Sequence, residues 1–519
     1  MEPFTFCVII FACYVLLKLL KDRFRPSLPL PPGPKGYPII GTFLHLPTTV
    51  PWRRFQEWSN IYGDVMYLKL PGDSTIILGS AQAAFDLLDK RSDIYSDRPT
   101  SVMQKMMFWD WAISLMPYTQ TWREHRREFH QYFYQRKVPT YRPVQLAQCR
   151  AGLQRLLISP TENVGQNLRQ IFTANILKIM YNLDITDLRD EYVVAAQKAL
   201  EGVSLGSVPG KFWVEFLPIL RHIPSWVPGN YAGKMAEHYK PVVEFMRSKP
   251  FDGIKQDMIN GNVPPSIASS LIERTYQKSG EDYSTLIDDT LARNVAGMAY
   301  AASSDTTTSA AQSCLIAMTL YPDVQRKAQE ELDRVVGPNR LPDFDDYDNL
   351  LYMRAIVLEA MRWMVVLPLC LPHRVIRDDE YKGYLIPKGT MVTPNVWAML
   401  HDPKDYPEPE VFKPERFIKD GKINPAVRDP FTLAFGFGRR ICPGRYFSND
   451  TLFMTMASIL HTFNIHPILG EDGKKFDPET ELITGLISAP THVPCTVTPR
   501  SKKAEELIRQ LPSLVGEVS

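Results

Sequence analysis

The stretch FGFGRRICPG, residues 435–444, gathers residues that could bind a ligand or take part in chemistry. It contains one cysteine, Cys442, together with three glycines, one proline and two arginines. The glycine spacing does not fit the dinucleotide fingerprint G-x-G-x-x-G, because Ile441 occupies the third glycine position. The G-K-S or G-K-T ending of a phosphate-binding P-loop is also missing. Nucleotide binding is therefore excluded for this stretch, and its chemistry must centre on Cys442.

The other cysteines and the overall charge exclude several classes of protein. Seven cysteines, an odd number, are scattered over 519 residues without a C-x-x-C pair, so neither a zinc site nor a disulfide framework is favoured. Such cysteine usage fits a reducing compartment that faces the cytosol. A net charge of +2 argues against a nucleic-acid-binding protein.

A second chemical candidate is AASSDTTTSA, residues 301–310, inside a long helical pattern over 287–320. Serine and threonine are disfavoured in helix interiors because their side chains compete for backbone groups, so the helix is expected to loosen here. Asp305 and Thr306 place an acid and a hydroxyl on an otherwise apolar helix. The pattern has two interpretations, a bend or capping motif and a pair that delivers protons.

Two further motifs combine charges in a way that fits burial. Glu359 and Arg362 lie three residues apart on one face of a predicted helix, within reach of each other. Arg416 lies among aromatic and proline residues in FKPERF, where a buried and paired arginine is expected. As surface features, neither motif would indicate a function.

Helical periodicity dominates the part of the chain that must position these residues. Helices are predicted over 51–62, 81–90, 121–136, 287–320, 322–336, 350–366 and 446–462. Strand-like runs are few and short, at 65–70, 74–79 and 381–395. The predicted fold class is mainly α with small β-sheets, in a single large domain over 41–519.

The N-terminal region predicts a membrane anchor. Residues 4–20 form an apolar run at the short limit for a bilayer-spanning helix, and the basic KDRFR follows it. The positive-inside rule then leaves the rest of the chain in the cytosol. A cleaved signal peptide is the rival interpretation, but a basic start and a cleavage site are missing. Residues 1–20 are thus a predicted transmembrane anchor, and residues 21–40 a basic, proline-rich hinge.

Together these motifs resemble those of the cytochrome P450 family. The haem signature F-x-x-G-x-R-x-C-x-G is matched by Phe435, Gly438, Arg440, Cys442 and Gly444. The other family motifs follow in the family's order: P-P-G-P at 31–34, W-x-x-x-R at Trp122 and Arg126, A-G-x-D-T-T at 302–307, E-x-x-R at Glu359 and Arg362, and P-E-R-F at 414–417. The resemblance spans nearly the whole chain and implies the cytochrome P450 fold.

The resemblance implies a role for each residue of the signature. Cys442 would be the axial ligand of the haem iron, as a thiolate with a lowered pKa in positive surroundings. Gly438 and Gly444 would let the backbone approach the sulfur and the porphyrin, and Phe435 would be a further cofactor-binding residue. The residues implied as partners of the haem propionates are Arg440, Arg126, Trp122 and His373. For His373, an ordinary packed histidine is the alternative.

Two further groups take their roles from the same resemblance. A structural triad behind the haem would consist of Glu359, Arg362 and Arg416. Asp305 and Thr306 would be the catalytic residues that deliver protons during oxygen activation. The sequence departs from the family pattern at Ser303, where the family has a glycine that eases a distortion of the helix. Back-bonding by the Ser303 hydroxyl would be the substitute.

The substrate and partner surfaces are less distinct in the sequence. Residues 101–116, 367–372 and 484–490 correspond to substrate-contacting loops of the family, although ordinary core packing also explains them. Residues 212–226 match a region whose exposed aromatic side chains could enter a membrane. The basic run 123–137 is either a solvated helix face or a docking surface for an acidic reductase that contains flavin.

The function implied is that of a haem-thiolate monooxygenase. It would insert one oxygen atom of O₂ into an apolar small molecule, a fungal secondary metabolite of terpenoid, polyketide or indole type. The cofactor would be haem b, and electrons would come from NADPH through a separate cytochrome P450 reductase, with cytochrome b5 as an optional second donor. The implied location is the endoplasmic reticulum membrane. Two alternatives stay open, an isomerase or dehydratase of the same fold that needs neither O₂ nor reductase, and a non-catalytic haem-binding sensor.

Overall fold

The computed structural model describes residues 28–512, apart from residues 48, 162–163, 188, 209, 282, 284, 286, 471–472, 474–475 and 478–480. The predicted anchor over 1–20 and the start of the hinge, 21–27, lie outside the described residues. Among the residues that are described, no helix is both long enough and apolar enough to cross a membrane.

Helices form most of the structure, as the periodicity predicts. The α-helices are α1 (Pro51–Tyr62), α2 (Ala81–Ala84), α3 (Ser92–Tyr95), α4 (Val102–Met106), α5 (Gln120–Phe133), α6 (Arg142–Ile158), α7 (Val164–Tyr181), α8 (Glu191–Gly206), α9 (Tyr231–Ile259), α10 (Ile267–Ser279), α11 (Thr290–Leu320), α12 (Pro322–Val335), α13 (Leu351–Trp363), α14 (Val396–Leu400), α15 (Phe431–Ala434), α16 (Arg445–Thr462) and α17 (Lys502–Arg509). A π-helical segment, Phe85–Lys90, continues α2. The predicted helix over 81–90 therefore has the observed extent, but its second part has π-helical instead of α-helical hydrogen bonds.

The β-structure is confined to short strands. They are β1 (Val65–Leu70), β2 (Asp73–Leu78), β3 (His373–Arg374), β4 (Asp379–Tyr381), β5 (Tyr384–Ile386), β6 (Met391–Pro394), β7 (Ile418–Lys419), β8 (Lys422–Ile423), β9 (Phe463–Pro467), β10 (Leu482–Ile483), β11 (Ala489–Pro490) and β12 (Cys495–Pro499). The largest sheet has the order β1-β2-β6-β3, in which β2 and β6 are parallel and the other pairs antiparallel. The single strand-like run predicted over 381–395 is divided among β4, β5 and β6.

Helix α11 runs through the centre of the molecule and connects its two largest hydrophobic clusters. Its first part, up to Ala301, packs in a cluster with α4, α8 and α9. Its last part, from Ala310 onward, packs in a cluster with α13 and α16. Residues 302–309, which are polar apart from Ala302, belong to neither cluster. The acid and hydroxyl groups of α11 therefore lie where the two apolar clusters meet.

The polar segment of α11 does not loosen the helix, contrary to the sequence-based expectation. The helix is continuous from Thr290 to Leu320. The hydroxyl groups of Ser304 and Thr306 donate to the carbonyl oxygens four residues earlier, at 3.3 and 2.8 Å. These bonds add to the backbone bonds instead of replacing them, so the helix tolerates them. The sequence predicts a back-bond from the Ser303 hydroxyl. Within the described residues, Ser304 and Thr306 form such back-bonds, and Ser303 does not.

Candidate active site

Cys442 lies in a short, rigid loop between α15 and α16. A 3₁₀ turn, Gly438–Arg440, precedes it, and α16 begins three residues after it. The backbone N–H of Cys442 donates to the carbonyl oxygen of Phe435 at 2.8 Å, which closes the loop. Nη1 of Arg445 donates to the Cys442 carbonyl oxygen at 3.0 Å. These bonds therefore fix the backbone on both sides of the Cys442 thiol.

Gly438 is required in this loop for a reason that the sequence does not reveal. Its φ of +53° lies in the left-handed region, which disfavours residues with a side chain. A Cβ at this position would also overlap the carbonyl oxygen of Leu88 in the π-helical segment. The structure thus shows a close approach of Gly438 to the π-helical segment, whereas its approach to the sulfur and the porphyrin stays a prediction. At Gly444, by contrast, a Cβ would meet no described atom within 4 Å.

The Cys442 thiol differs from the predicted low-pKa thiol. Burial raises its pKa, and the Gly444 N–H and the guanidinium groups of Arg126 and Arg445 offset this only in part. Burial prevails because the thiolate would lose its hydration. A metal ion that coordinates the sulfur removes the proton outright, so the loop fits a thiol that ionises when it binds a metal.

Three arginines near Cys442 form no ion pair within the described residues: Arg98, Arg126 and Arg440. Burial, together with the neighbouring guanidinium groups of Arg98 and Arg126, lowers the pKa of Arg440 to about 8. Burial also lowers the pKa of Arg98 to about 10. The nearby carboxylate of Asp97 favours the charged forms of Arg98 and Arg440, but burial prevails over it. Buried like charges that lack an ion pair among the described residues are costly, because each loses hydration. The cluster therefore has the charge of a site for an anionic group.

The donors of this cluster are only partly used by the protein. A guanidinium carries five N–H donors. Arg126 donates one hydrogen bond, from Nη2 to the carbonyl oxygen of Ile441. Arg98 uses Nε and Nη1 on backbone carbonyl oxygens, which leaves Nη2 without a partner in the described structure. Arg440 donates from all three nitrogens, to the carbonyl oxygens of Ser96, Ile113 and Met116, and keeps two N–H groups.

Trp122 and His373 both lie at this cluster. The Arg440 guanidinium lies 4.2 Å from the centre of the Trp122 ring. The indole N–H of Trp122 donates to the carbonyl oxygen of Ile113 at 3.1 Å, so in this structure that N–H is not available for a propionate. His373 bonds the carbonyl oxygen of Tyr95 through Nδ1 at 2.7 Å. Burial and the charges of Arg98 and Arg440 hold the pKa of His373 well below its usual value.

These residues fit a haem. The unpaired guanidinium groups match the two propionates of the cofactor, and Cys442 is a buried thiol of the kind that ligates haem iron. The anions would restore the pKa values of Arg440 and His373, because an opposite charge favours the protonated form.

Asp305 and Thr306 lie side by side on α11, but they have different partners. Asp305 forms an ion pair with Arg169 of α7, between Oδ1 and Nη1. Each of these two side chains is only 17% exposed, so solvent screens the pair weakly. The Thr306 hydroxyl donates back to the carbonyl oxygen of Ala302. The structure therefore holds the acid through a cation on a neighbouring helix.

Glu359, Arg362 and Arg416 are in direct contact. Nε and Nη2 of Arg362 each donate to the Glu359 carboxylate at 2.8 Å, and both side chains are 0% exposed. Nε of Arg416 donates to the same carboxylate at 3.2 Å. The two arginines also donate to backbone carbonyl oxygens between residues 407 and 411. The cluster thus fixes the irregular segment that leads toward the cysteine loop.

Comparison with known proteins identifies the chain. The sequence profile of the family described as "Cytochrome P450" matches residues 31–493. The chain belongs to the cytochrome P450 family. This P450 is 41% identical to cytochrome P450 monooxygenase COX1 of Coprinopsis cinerea, over 97% of this chain and 98% of the relative. It is 40% identical to the P450 monooxygenase ple1 of Rhodocybe pseudopiperita, over 93% and 92% of the two chains. It is also 37% identical to tryptamine 4-monooxygenase of Psilocybe cyanescens, over 91% and 94%.

These relationships make the chain a cytochrome P450 monooxygenase with the P450 fold. Two residues of its site were not found from the sequence. Arg98 approaches His373, and Arg169 approaches Asp305; each arginine lies more than 100 residues along the chain from its partner. Arg98 lies in SDRP, directly after a short helix, where an arginine before a proline gives no recognisable signal. Arg169 lies on the largely apolar helix α7. A charged residue at such a position indicates a buried partner, and this was the signal that could have identified Arg169.

Proposed function

We propose that this P450 binds haem b through Cys442 and inserts one oxygen atom of O₂ into an apolar small molecule, a fungal secondary metabolite. The observation that carries the proposal is the buried, unpaired cluster of Arg98, Arg126 and Arg440 beside the Cys442 thiol. Such an excess of buried positive charge favours an anionic ligand in contact, because an opposite charge offsets the lost hydration. The position of Cys442 next to that charge fits a cofactor that carries both acid groups and a metal.

When bound, the haem supplies the activation of O₂. The residues of the chain hold it and manage charge and protons around it. Cys442 would provide the thiolate, and Arg126 and Arg98 have free N–H groups for the propionates. Asp305 would take protons from solvent and pass them into the pocket, and Thr306 would hold the last proton-bearing group there. Arg169 would hold the Asp305 carboxylate in place between transfers.

The decisive experiment is a spectrum of the reduced protein under CO, followed by turnover. We expect the Soret band typical of a thiolate-ligated haem. Product formation should require NADPH, a cytochrome P450 reductase and O₂ together. Turnover that persists without reductase and O₂ would instead identify an isomerase or dehydratase. A complete absence of product from a broad panel despite full reduction would indicate a sensor.

Asp305→Asn tests the proton-delivery role directly. We expect product formation to fall by about 10²–10⁴-fold, the range that a positioned acid or base contributes. Haem binding and substrate-induced spectral shifts should be unchanged, because the amide keeps the shape of the carboxylate. The measurement is product formed per NADPH consumed, which should fall together with the rate.

Thr308→Val is the matched control for Asp305→Asn. Its hydroxyl also bonds back along α11, to Ser304, and it is buried. This variant should retain turnover within about threefold, since it removes a back-bond and no proton donor. Equal losses in both variants would show that helix geometry, and not the acid, limits the rate.

The substrate pocket is expected to be apolar. Met103, Met107 and Trp111 are buried in the same hydrophobic cluster as the first part of α11. At Gly297 of α11 a Cβ would lie 3.2 Å from the Trp111 ring, so the helix and the ring are in close contact. Such a wall of methionine and tryptophan suits an adaptable apolar ligand. Indole substrates deserve the first test because one relative is a tryptamine 4-monooxygenase. Terpenoid and polyketide panels follow, each scored by the spectral shift on binding.

An apolar outer surface supports a membrane location at the endoplasmic reticulum. Trp213 and Trp226 are 62% and 78% exposed, in the segment that matches the expected membrane-dipping region. The ring of Phe43 lies 5.9 Å from that of Trp213, which joins the N-terminal end of the described chain to this surface. Exposed aromatic rings favour insertion among lipid head groups.

Tryptophan quenching measures this insertion. Two of the nine tryptophans, Trp213 and Trp226, are exposed and the other seven are buried. Full-length protein in vesicles of brominated phospholipid should lose fluorescence because bromine quenches only nearby rings. In a variant with both Trp213→Phe and Trp226→Phe, we expect most of that quenching to disappear. Equal fractional quenching in the two proteins would place this surface away from the lipid.

Electrons would arrive from a separate reductase at the surface around α5. Arg123, Arg127 and His130 of this helix are exposed, whereas Glu128 is buried and paired with Arg274 at 2.9 Å. Glu124 is exposed as well, so the outward face of α5 has a net charge of +1, which suits an acidic partner.

A further inference from the structure

A crevice of about 350 Å³ lies far from the cysteine loop, between α6, α17 and the loop after α7. We call it the α6–α17 crevice; its lining includes Gln148, Arg155, Ile158, Ile185 and Ile508. Nε2 of Gln154 on α6 donates to the carbonyl oxygen of Leu511 just after α17, at 3.0 Å, which ties the two walls together. Its volume is within the range of small-molecule pockets, about 300–1,000 Å³.

The crevice contains a cation without a counter-ion. Nε and Nη2 of Arg155 are buried and have no hydrogen-bond partner within the described residues. The carboxylate of Asp184, which also lines the crevice, is engaged by Nζ of Lys178 at 2.8 Å. Burial lowers the pKa of Arg155 to about 10. A buried hydrogen-bond donor without a partner destabilises the fold, and a charged donor does so more strongly. The Arg155 guanidinium is therefore suited to bind an anion.

A second polar group lies on the same face of α6. Gln148 precedes Arg155 by seven residues, two helical turns, and is only 4% exposed. Among the described residues its amide has no hydrogen-bond partner, although it lines the crevice. Between them lies Gly152, where a Cβ would overlap the side chain of Ile171 on α7 and would lie 3.8 Å from Nη2 of Arg155. The Arg155 guanidinium therefore lies back along α6, near Gly152.

The crevice also has apolar walls. Leu157 and Ile158 of α6 line it with Ile185 and Ile508, and Ile158 is 81% exposed, whereas Ile508 is fully buried. The crevice thus combines N–H donors and positive charge with hydrocarbon. Such a combination fits a ligand that has an acid group and an apolar tail.

We propose that the α6–α17 crevice is an accessory binding site for a small carboxylate with an apolar tail, such as a medium-chain fatty acid. The carboxylate accepts hydrogen bonds from Arg155 and Gln148, and the tail covers Ile158 and Ile185. The proposal does not depend on the substrate of the haem site, because none of its residues belongs to that site.

The test uses the full-length holoenzyme with its haem pocket occupied by an iron-coordinating azole, so that a fatty acid cannot bind there. Calorimetric titration with decanoate should show one site. Arg155→Met should weaken binding by about tenfold or more, and Arg155→Lys by less, since lysine keeps the charge without the planar fork. Decanol, which has the tail without the acid, should bind about tenfold more weakly than decanoate.

Arg150→Met is the matched control. Arg150 lies on α6 outside the crevice, 3.7 Å from Asp343, and decanoate affinity should be unchanged in this variant. Arg155→Met should fold normally, because it removes a group without a protein partner; its CO spectrum checks this. Equal affinity for decanoate and decanol, or unchanged affinity in Arg155→Met, would overturn the proposal.

Discussion

Replacing Cys442 by serine is expected to abolish the thiolate-type Soret band and to reduce product formation below detection. A serine hydroxyl has almost the volume of the thiol, so the loop and its bond from Cys442 N–H to Phe435 should form as before. The hydroxyl, however, does not supply the soft, electron-donating sulfur that haem iron requires in this family. The measurements are the reduced CO spectrum, the haem content per chain and the rate of product formation.

Cys370→Ser is the matched control for this experiment. Cys370 is also a partly buried free thiol, and its sulfur lies 3.7 Å from the position that a Cβ of Gly436 would occupy. Burial raises the pKa of Cys370, as it does that of Cys442. The control should keep the thiolate-type band. If the two variants behaved alike, the assignment of Cys442 as the ligand would be wrong.

The second large effect is expected from Glu359→Gln, which should destabilise the fold. The substitution leaves Arg362 and Arg416 buried beside each other without the shared carboxylate. Removing one partner of a buried ion pair costs about 3–5 kcal/mol, because the remaining charge is desolvated and uncompensated. That is a large part of the stability of an ordinary domain. Urea unfolding followed by circular dichroism would measure the change in the free energy of unfolding.

Glu408→Gln provides the comparison for this loss. Glu408 lies in the same irregular segment and pairs with Lys413 at 2.7 Å, but both side chains are about half exposed. Solvent screening makes the contribution of such a pair to stability much smaller than that of a buried pair. A loss of similar size in both variants would mean that the Glu359 cluster contributes no more than a surface pair.

The sequence predicted the parts of this protein that depend on local pattern. Helix α1 was predicted over its full extent, since tryptophan and phenylalanine recur at helical spacing and Pro51 begins the helix. The end of α11 at Leu320 was likewise predicted, as Pro322 begins the next helix. The cysteine signature and the E-x-x-R motif are short and contiguous, so they could be recognised without any three-dimensional information.

Features that depend on packing between distant segments were not predicted. The sequence shows Arg98 and Arg169 as isolated charges, and only the fold brings them to His373 and Asp305. The raised pKa of Cys442 could not be predicted from the sequence either. It depends on how deeply the fold buries the thiol and on which positive groups the fold places around it. The contact that requires Gly438 is with Leu88, which no local pattern could indicate.

The arginine cluster described at the cysteine loop also has a consequence for the order of folding. The bond from Arg440 to the carbonyl oxygen of Ser96 joins residues 344 positions apart. Contacts of this separation form late, because a long loop must close before they are gained. Here the closure also brings together like charges that repel each other until an anion arrives. Cofactor loading and the last folding step should therefore be one event, so that the yield of soluble protein in a cell would follow its supply of haem.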